Sequence, residues 1–155
     1  MAVPVSIVGS RDGEVVLSDG RSRVRVLEDG RTTAHRLGII EIVLGPRGEG
    51  PPQHRHAEHD EGFYVVAGTV RFTVGADTHD VGPGTLVMVP TGAPHTFANP
   101  TDEEAVIIST VTPDHYVQYF RDLRNLATQD GGGREGIANV MRTYATEVSS
   151  EYAES

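Results

Sequence analysis

The chain has 155 residues, enough for one domain with a sizeable core, and its 37% apolar and 23% charged residues describe a globular rather than a disordered sequence. A formal charge of −9, from 13 basic against 22 acidic residues, argues against a protein that binds nucleic acid or an anionic membrane. Cysteine is absent and every basic residue is arginine, which excludes disulfides, thiolate nucleophiles, cysteine-ligated zinc and lysine Schiff bases.

Residues 1–10 carry no basic start and contain Pro4, a poor pattern for a secretory signal. From residue 5 to residue 112 the sequence then reads as short strands separated by turns, in keeping with 18 glycines and 9 prolines. Residues 15–17 and 22–27 flank Ser18-Asp19-Gly20, and Glu28-Asp29-Gly30 leads toward the apolar run 38–44. Further strands are expected over 63–66, 70–74, 78–81, 85–89 and 105–111, with turns at Ala67-Gly68 and Gly75-Ala76-Asp77. Phe72 and Val74 alternate with Arg71 and Thr73, the period of a strand with one face buried. The pattern predicts an all-β antiparallel sandwich or barrel. The longest apolar stretch, 37–44, is interrupted by Glu41 and falls far short of the ~20 residues of a membrane span. A cytoplasmic protein with no membrane partner is expected.

At Thr112-Pro113 the pattern changes, because threonine followed by proline is a helix-start signal. Tyr116, Phe120, Leu123 and Ala127 then line one face of a helix predicted over 113–127. Residues 129–133 (QDGGG) break it, and Ile137, Val140, Met141, Tyr144 and Val148 mark a second amphipathic stretch. The two helices, an extension (113–148) of the β-domain (1–112), are expected on its outside or against a partner subunit. The polar, acidic tail 149–155 is expected to fray.

The chemistry concentrates in residues 51–61 (PPQHRHAEHDE). His54 and His56 project from one side of an extended backbone, and such a pair either binds a divalent metal or sits in solvent. Glu61 adds a hard oxygen donor, and His95, in the turn Pro90-Thr91-Gly92-Ala93-Pro94-His95, a third imidazole. Three nitrogens and one carboxylate suit Fe, Mn, Ni, Zn or Cu and leave coordination positions open.

Gly48, His54, His56, Glu61 and Gly68, with five, one, four and six residues between them, fit the first signature of the cupin superfamily. Gly84, Pro90, Gly92, His95 and Asn99, with five, one, two and three between them, fit the second. The chain therefore resembles a small single-domain cupin, and among these it is similar to quercetin 2,3-dioxygenase-like proteins in its short inter-motif stretch and helical C-terminal extension. The resemblance implies a double-stranded β-helix (jelly-roll) barrel with one divalent transition metal held by His54, His56, Glu61 and His95. It also implies a metal-dependent dioxygenase acting on an aromatic, polyphenolic or enolisable small molecule, with Glu61 as a catalytic proton acceptor. The alternatives are a non-oxidative cyclase or isomerase of polyketide or sugar type, and a non-catalytic small-molecule binder. A homodimer is expected.

Gly68, Gly84 and Gly92 are expected at positive φ, Pro90 and Pro94 to stiffen the turn that aims His95, and Asn99 to fix a turn. Glu58 and His59 read either as partners of the ligands or, more readily, as solvated loop residues. Arg21, Arg23 and Arg25 alternate, as on a wet strand face or in a cationic stripe for an anionic substrate. Phe63, Tyr64, Phe72 and Phe97 border the motifs and either fill the barrel or line an apolar pocket. His35, His79 and His115 read as surface residues.

Overall fold

A computed structural model describes residues 2–129 and 133–149. Six strands form the larger sheet: β1 (Glu14–Ser18), β2 (Arg23–Asp29), β3 (Gly38–Leu44), β5 (Asp60–Ala67), β8 (Leu86–Val89) and β10 (Ala105–Thr112). Their spatial order is β1-β2-β3-β10-β5-β8, and all neighbours are antiparallel. The facing layer holds β6 (Val70–Val74), β7 (Asp77–Val81) and β9 (Thr96–Ala98) in the order β7-β6-β9. Beside them β4 (His54–His56) pairs with β11 (Thr146–Val148). Isolated bridges Glu49↔Ala98 and His54↔His95 tie the two parts of this layer together. The result is an antiparallel two-layer β-structure, as the strand pattern predicted, in the jelly-roll arrangement that the resemblance implied.

Alternation decides which side chains face inward. Along β10, Ala105, Ile107, Ser109 and Val111 are buried, while Val106, Ile108 and Thr110 are only partly covered. Phe63, Val65, Ile40, Val70 and Phe72 complete the fully buried centre. Each such side chain contributes about 1.5–3 kcal/mol by leaving water. Turn chemistry sets the register. The Asn99 amide donates to the carbonyls of Leu44, Gly45 and Glu103, fixing the turn as anticipated. Gly68 sits at φ +74°, and a Cβ there would meet the Glu104 carbonyl at 2.4 Å, so no side chain fits. Gly84 and Gly92 also take positive φ.

The helical extension departs from expectation in three ways. Helix α1 (Tyr116–Thr128) begins three residues after the Thr112-Pro113 signal, because Thr112 still pairs with Asp60 at the end of β10. On the β-domain α1 takes a more specific place than the outer face expected, packing across β1, β2 and β3 over the cavity and burying Tyr116, Val117 and Tyr119. Arg121 ties it to Glu14 (2.9 Å) and Asp29 (3.0 Å). Helix α2 (Arg134–Thr143) stops before Tyr144 and Val148, which the apolar period had included. Ala145 takes φ +49°, and the following residues become β11, satisfying the otherwise open edge of β4. The expected tail lies, apart from Ser149, outside the described residues. Among the described residues no helix is long and apolar enough to cross a membrane.

Candidate metal centre

Strand β4 presents His54 and His56, and both side chains are buried. Glu61 enters from β5, where it stands opposite Val89 on one side and Val111 on the other. His95 comes from the turn before β9. Two backbone hydrogen bonds, His54 N–H to His95 carbonyl (3.0 Å) and the reverse (2.8 Å), lock the two motifs together. Gly92, free to adopt φ +87°, donates its N–H to the His56 carbonyl at 2.8 Å and so anchors the turn that aims His95. The four predicted side chains converge: one donor atom from each lies within 4.8 Å of the others.

The outer ring nitrogens reveal the tautomers. His54 Nδ1 meets the Pro52 carbonyl at 2.8 Å and His95 Nδ1 the Ala93 carbonyl at 3.0 Å. A carbonyl only accepts, so both Nδ1 atoms carry hydrogen. His56 Nδ1 lies 2.7 Å from Thr146 Oγ1, whose own proton is given to the Tyr144 carbonyl at 3.1 Å, so His56 donates too. Each neutral ring therefore turns the lone pair of Nε2 inward. There His95 Nε2 and His56 Nε2 stand 2.9 and 3.2 Å from the same oxygen of Glu61. His56 Nε2 has no hydrogen-bond partner. Lone pairs facing an ionised carboxylate repel one another unless positive charge lies between them. A divalent transition ion supplies it, so the donor set fits such a metal.

The electrostatics agree. Burial raises the proton affinity of Glu61, but hydrogen bonds and positive charge at His56, His59 and His95, when those rings are protonated, outweigh it and hold the carboxyl well below its usual range; with neutral rings a metal cation would take over that part. Burial, then the neighbouring His95 and His56, lower His54 to about 4. Burial likewise lowers His56. Glu61, His54 and His56 are thus shifted toward their metal-binding forms at neutral pH.

Two residues around the centre depart from the sequence reading: His59, read more readily as solvated, and Thr146, which it did not single out. His59 is buried, with its Nε2 3.7 Å from the second oxygen of Glu61 and its ring against those of His56 (4.0 Å) and Tyr116 (4.5 Å). Of the two extra polar groups in the first motif, only Glu58 is the exposed loop residue expected. Thr146, 90 residues from His56, gives no signal at all in the sequence. The aromatics divide: Phe63 and Phe97 line a cavity at the centre, Phe72 fills the barrel behind them, and Tyr64 faces outward. Arg25 is tied to Glu41 by two 3.1 Å contacts and Arg21 is exposed, whereas Arg23 reaches the cavity mouth. His35, His79 and His115 are exposed as expected.

That cavity, of about 340 Å³, has His54 and Glu61 in its wall. Ile40, Ile42, Phe63 and Phe97 of the barrel face Tyr116, Tyr119, Phe120 and Leu123 of α1 across it.

Residues 41–111 match the Cupin domain family. The chain is 31% identical over 91 residues to quercetin 2,3-dioxygenase of Bacillus subtilis, a match covering 59% of this chain but only 26% of that enzyme. It is 34% identical over 78 residues to an uncharacterised protein of Streptomyces coelicolor, covering 50% of this chain and 70% of that protein. In fold it is similar to the polyketide cyclase RemF of Streptomyces resistomycificus, with a TM-score of 0.62 and 22% identity over 74% of this chain and 94% of that one. Both signature motifs, the strand order and these likenesses place the chain in the cupin superfamily.

Proposed function

We propose that the protein is a metal-dependent dioxygenase that takes an aromatic or enolisable small molecule into the cavity under helix α1. One observation supports this reading above the rest: the donor set opens onto walls built of aliphatic and aromatic side chains. Such walls suit a flat, weakly polar ligand and offer little to a sugar phosphate, since Arg23 is the one cationic side chain lining the cavity and it stands at the mouth. A divalent transition ion in the site supplies Lewis acidity toward an enolate or phenolate oxygen and, if redox-active, a means of activating O2.

The remaining work falls to the chain itself. His54 and Glu61 face the cavity, His56 and His95 complete the donor set behind them, and Phe63, Phe97 and Tyr116 exclude water from it. Glu61 is assigned chiefly to ligation. The proton-accepting role expected of it needs an oxygen released from its imidazole neighbours, because those contacts keep the carboxylate a weak base and a cation weakens it further.

The alternative is a cyclase that uses the metal only as a Lewis acid. The same walls favour it, and the fold is shared with a polyketide cyclase. Oxygen consumption separates the two. Protein loaded in turn with Fe(II), Mn(II), Ni(II) and Cu(II) is given a flavonol, a catechol and a 1,3-diketone in an oxygen-electrode cell. Stoichiometric O2 uptake with at least one pair supports the dioxygenase. Substrate loss that continues anaerobically assigns the cyclase instead, and no turnover of any pair leaves a binder.

A further inference from the structure

We propose that Ser109 is a specificity-determining residue whose hydroxyl binds a second polar group of the ligand, about one ring system away from the oxygen that faces the metal centre. This deepens the aromatic-ligand reading above and rests on it. The inward row of β10 reads Ala105, Ile107, Ser109, Val111, so one hydroxyl interrupts an otherwise apolar set. Ser109 is 1% exposed and its Oγ has no hydrogen-bond partner among the described residues. It lines the same cavity as His54 and Glu61. A buried hydroxyl without a partner destabilises the empty protein, and alanine would occupy the same position without that cost. A ligand that completes the bond gives the serine a purpose there.

The register supplies the spacing. Val111 stands opposite Glu61, and Ser109 stands opposite Phe63 on one side and Ile40 on the other. Ser109 therefore lies one inward position along the sheet from the carboxylate ligand, roughly 7 Å by strand geometry. Phe63, directly opposite Ser109 and next inward from Glu61 on β5, lines the cavity as a flat surface on which an aromatic ring can rest. Among the other polar groups lining the cavity, His54 and Glu61 belong to the donor set, Ser18, Asp19, Arg23 and Glu49 are exposed, and Ser22 Oγ already accepts from the Gly45 N–H at 3.2 Å. Tyr116 and Tyr119 stack on each other at 4.4 Å, and their hydroxyls are engaged with one another. The ligand class that follows is an aromatic compound with two oxygens on one edge, one for the metal and one for Ser109.

The test compares 2-naphthol with 2,7-dihydroxynaphthalene, whose oxygens span a similar distance, by calorimetric titration into zinc-loaded wild type and Ser109→Ala. Wild type is expected to prefer the diol by about five- to tenfold, the worth of one hydrogen bond. In Ser109→Ala the preference falls to about one while zinc stoichiometry is retained, and the ligand-free Tm rises by about 2–4 °C. A preference that survives in Ser109→Ala, or a Tm that falls, overturns the assignment and leaves the aromatic reading standing. Failure of both naphthols to bind zinc-loaded wild type overturns the aromatic reading and this assignment with it.

Discussion

Two regions meet at the metal centre, and they are built on different principles. The motif half, β4 with β5 and the His95 turn, is specified locally: closely spaced residues, a glycine at positive φ and two backbone hydrogen bonds aim four donors at one point. The C-terminal half, α1 with α2 and β11, is specified at long range. It supplies the Thr146 hydroxyl behind His56 and the aromatic wall over the cavity. The first half determines that a metal can be held. The second determines how one imidazole is held and what reaches the ion.

That division can be broken at either side. The largest effect is expected in the motif half, where His54→Ala or His95→Ala removes a ligand and lowers zinc affinity by roughly a thousandfold, read by chelator competition and metal analysis. Retention of full zinc affinity in either variant would show that the four groups do not share one ion. In the C-terminal half, Thr146→Val deletes the partner of His56 Nδ1 and is expected to cost about 10–100-fold in zinc affinity, with Thr146→Ser restoring it. Equal loss in valine and serine variants would reduce β11 to a packing element.

The smallest effect sharpens the attachment between the two regions. The Asp29 carboxyl is lowered to about 2, chiefly by Arg31, with burial opposing and Arg121 of α1 assisting. A carboxyl with a depressed folded pKa contributes stability above its unfolded value, near 3.8, and loses it as pH falls toward 2. Because its chief partner Arg31 stands in solvent and is screened there, although the Asp29 side chain itself is mostly covered, about 1 kcal/mol is expected. Asp29→Asn should therefore be less stable than wild type at pH 6 by that amount in urea melts, with the difference shrinking between pH 4 and pH 2. A gap that widens on acidification would contradict the sign.

The legible parts of the molecule were those with a local signature. Strand alternation with turn residues yielded an antiparallel sandwich or barrel, and the family resemblance carried by the two motifs implied all four donors. His59 was harder, because its burial comes from stacking on His56 and on Tyr116, a residue of another element. The start of α1 was displaced because pairing of Thr112 with Asp60 prevailed over a good local helix signal. The most instructive miss is β11. Its three residues are too few to show a period, and the chain leaves α2 through Ala145, not through the glycine that usually marks a left-handed stop. Ser109 is the opposite case. The apolar row of β10 displayed it openly, and its meaning emerged only when the cavity behind it was known.

The pairing of β4 with β11 also orders events in time. Ribosomes make the chain from its first residue onward, so His56 emerges 90 residues before the threonine that will steady it. Through that interval the imidazole is free to turn, and the nascent barrel holds at best a loose grip on any ion it meets. Tight capture of an ion at this site would thereby wait until translation has passed Thr146.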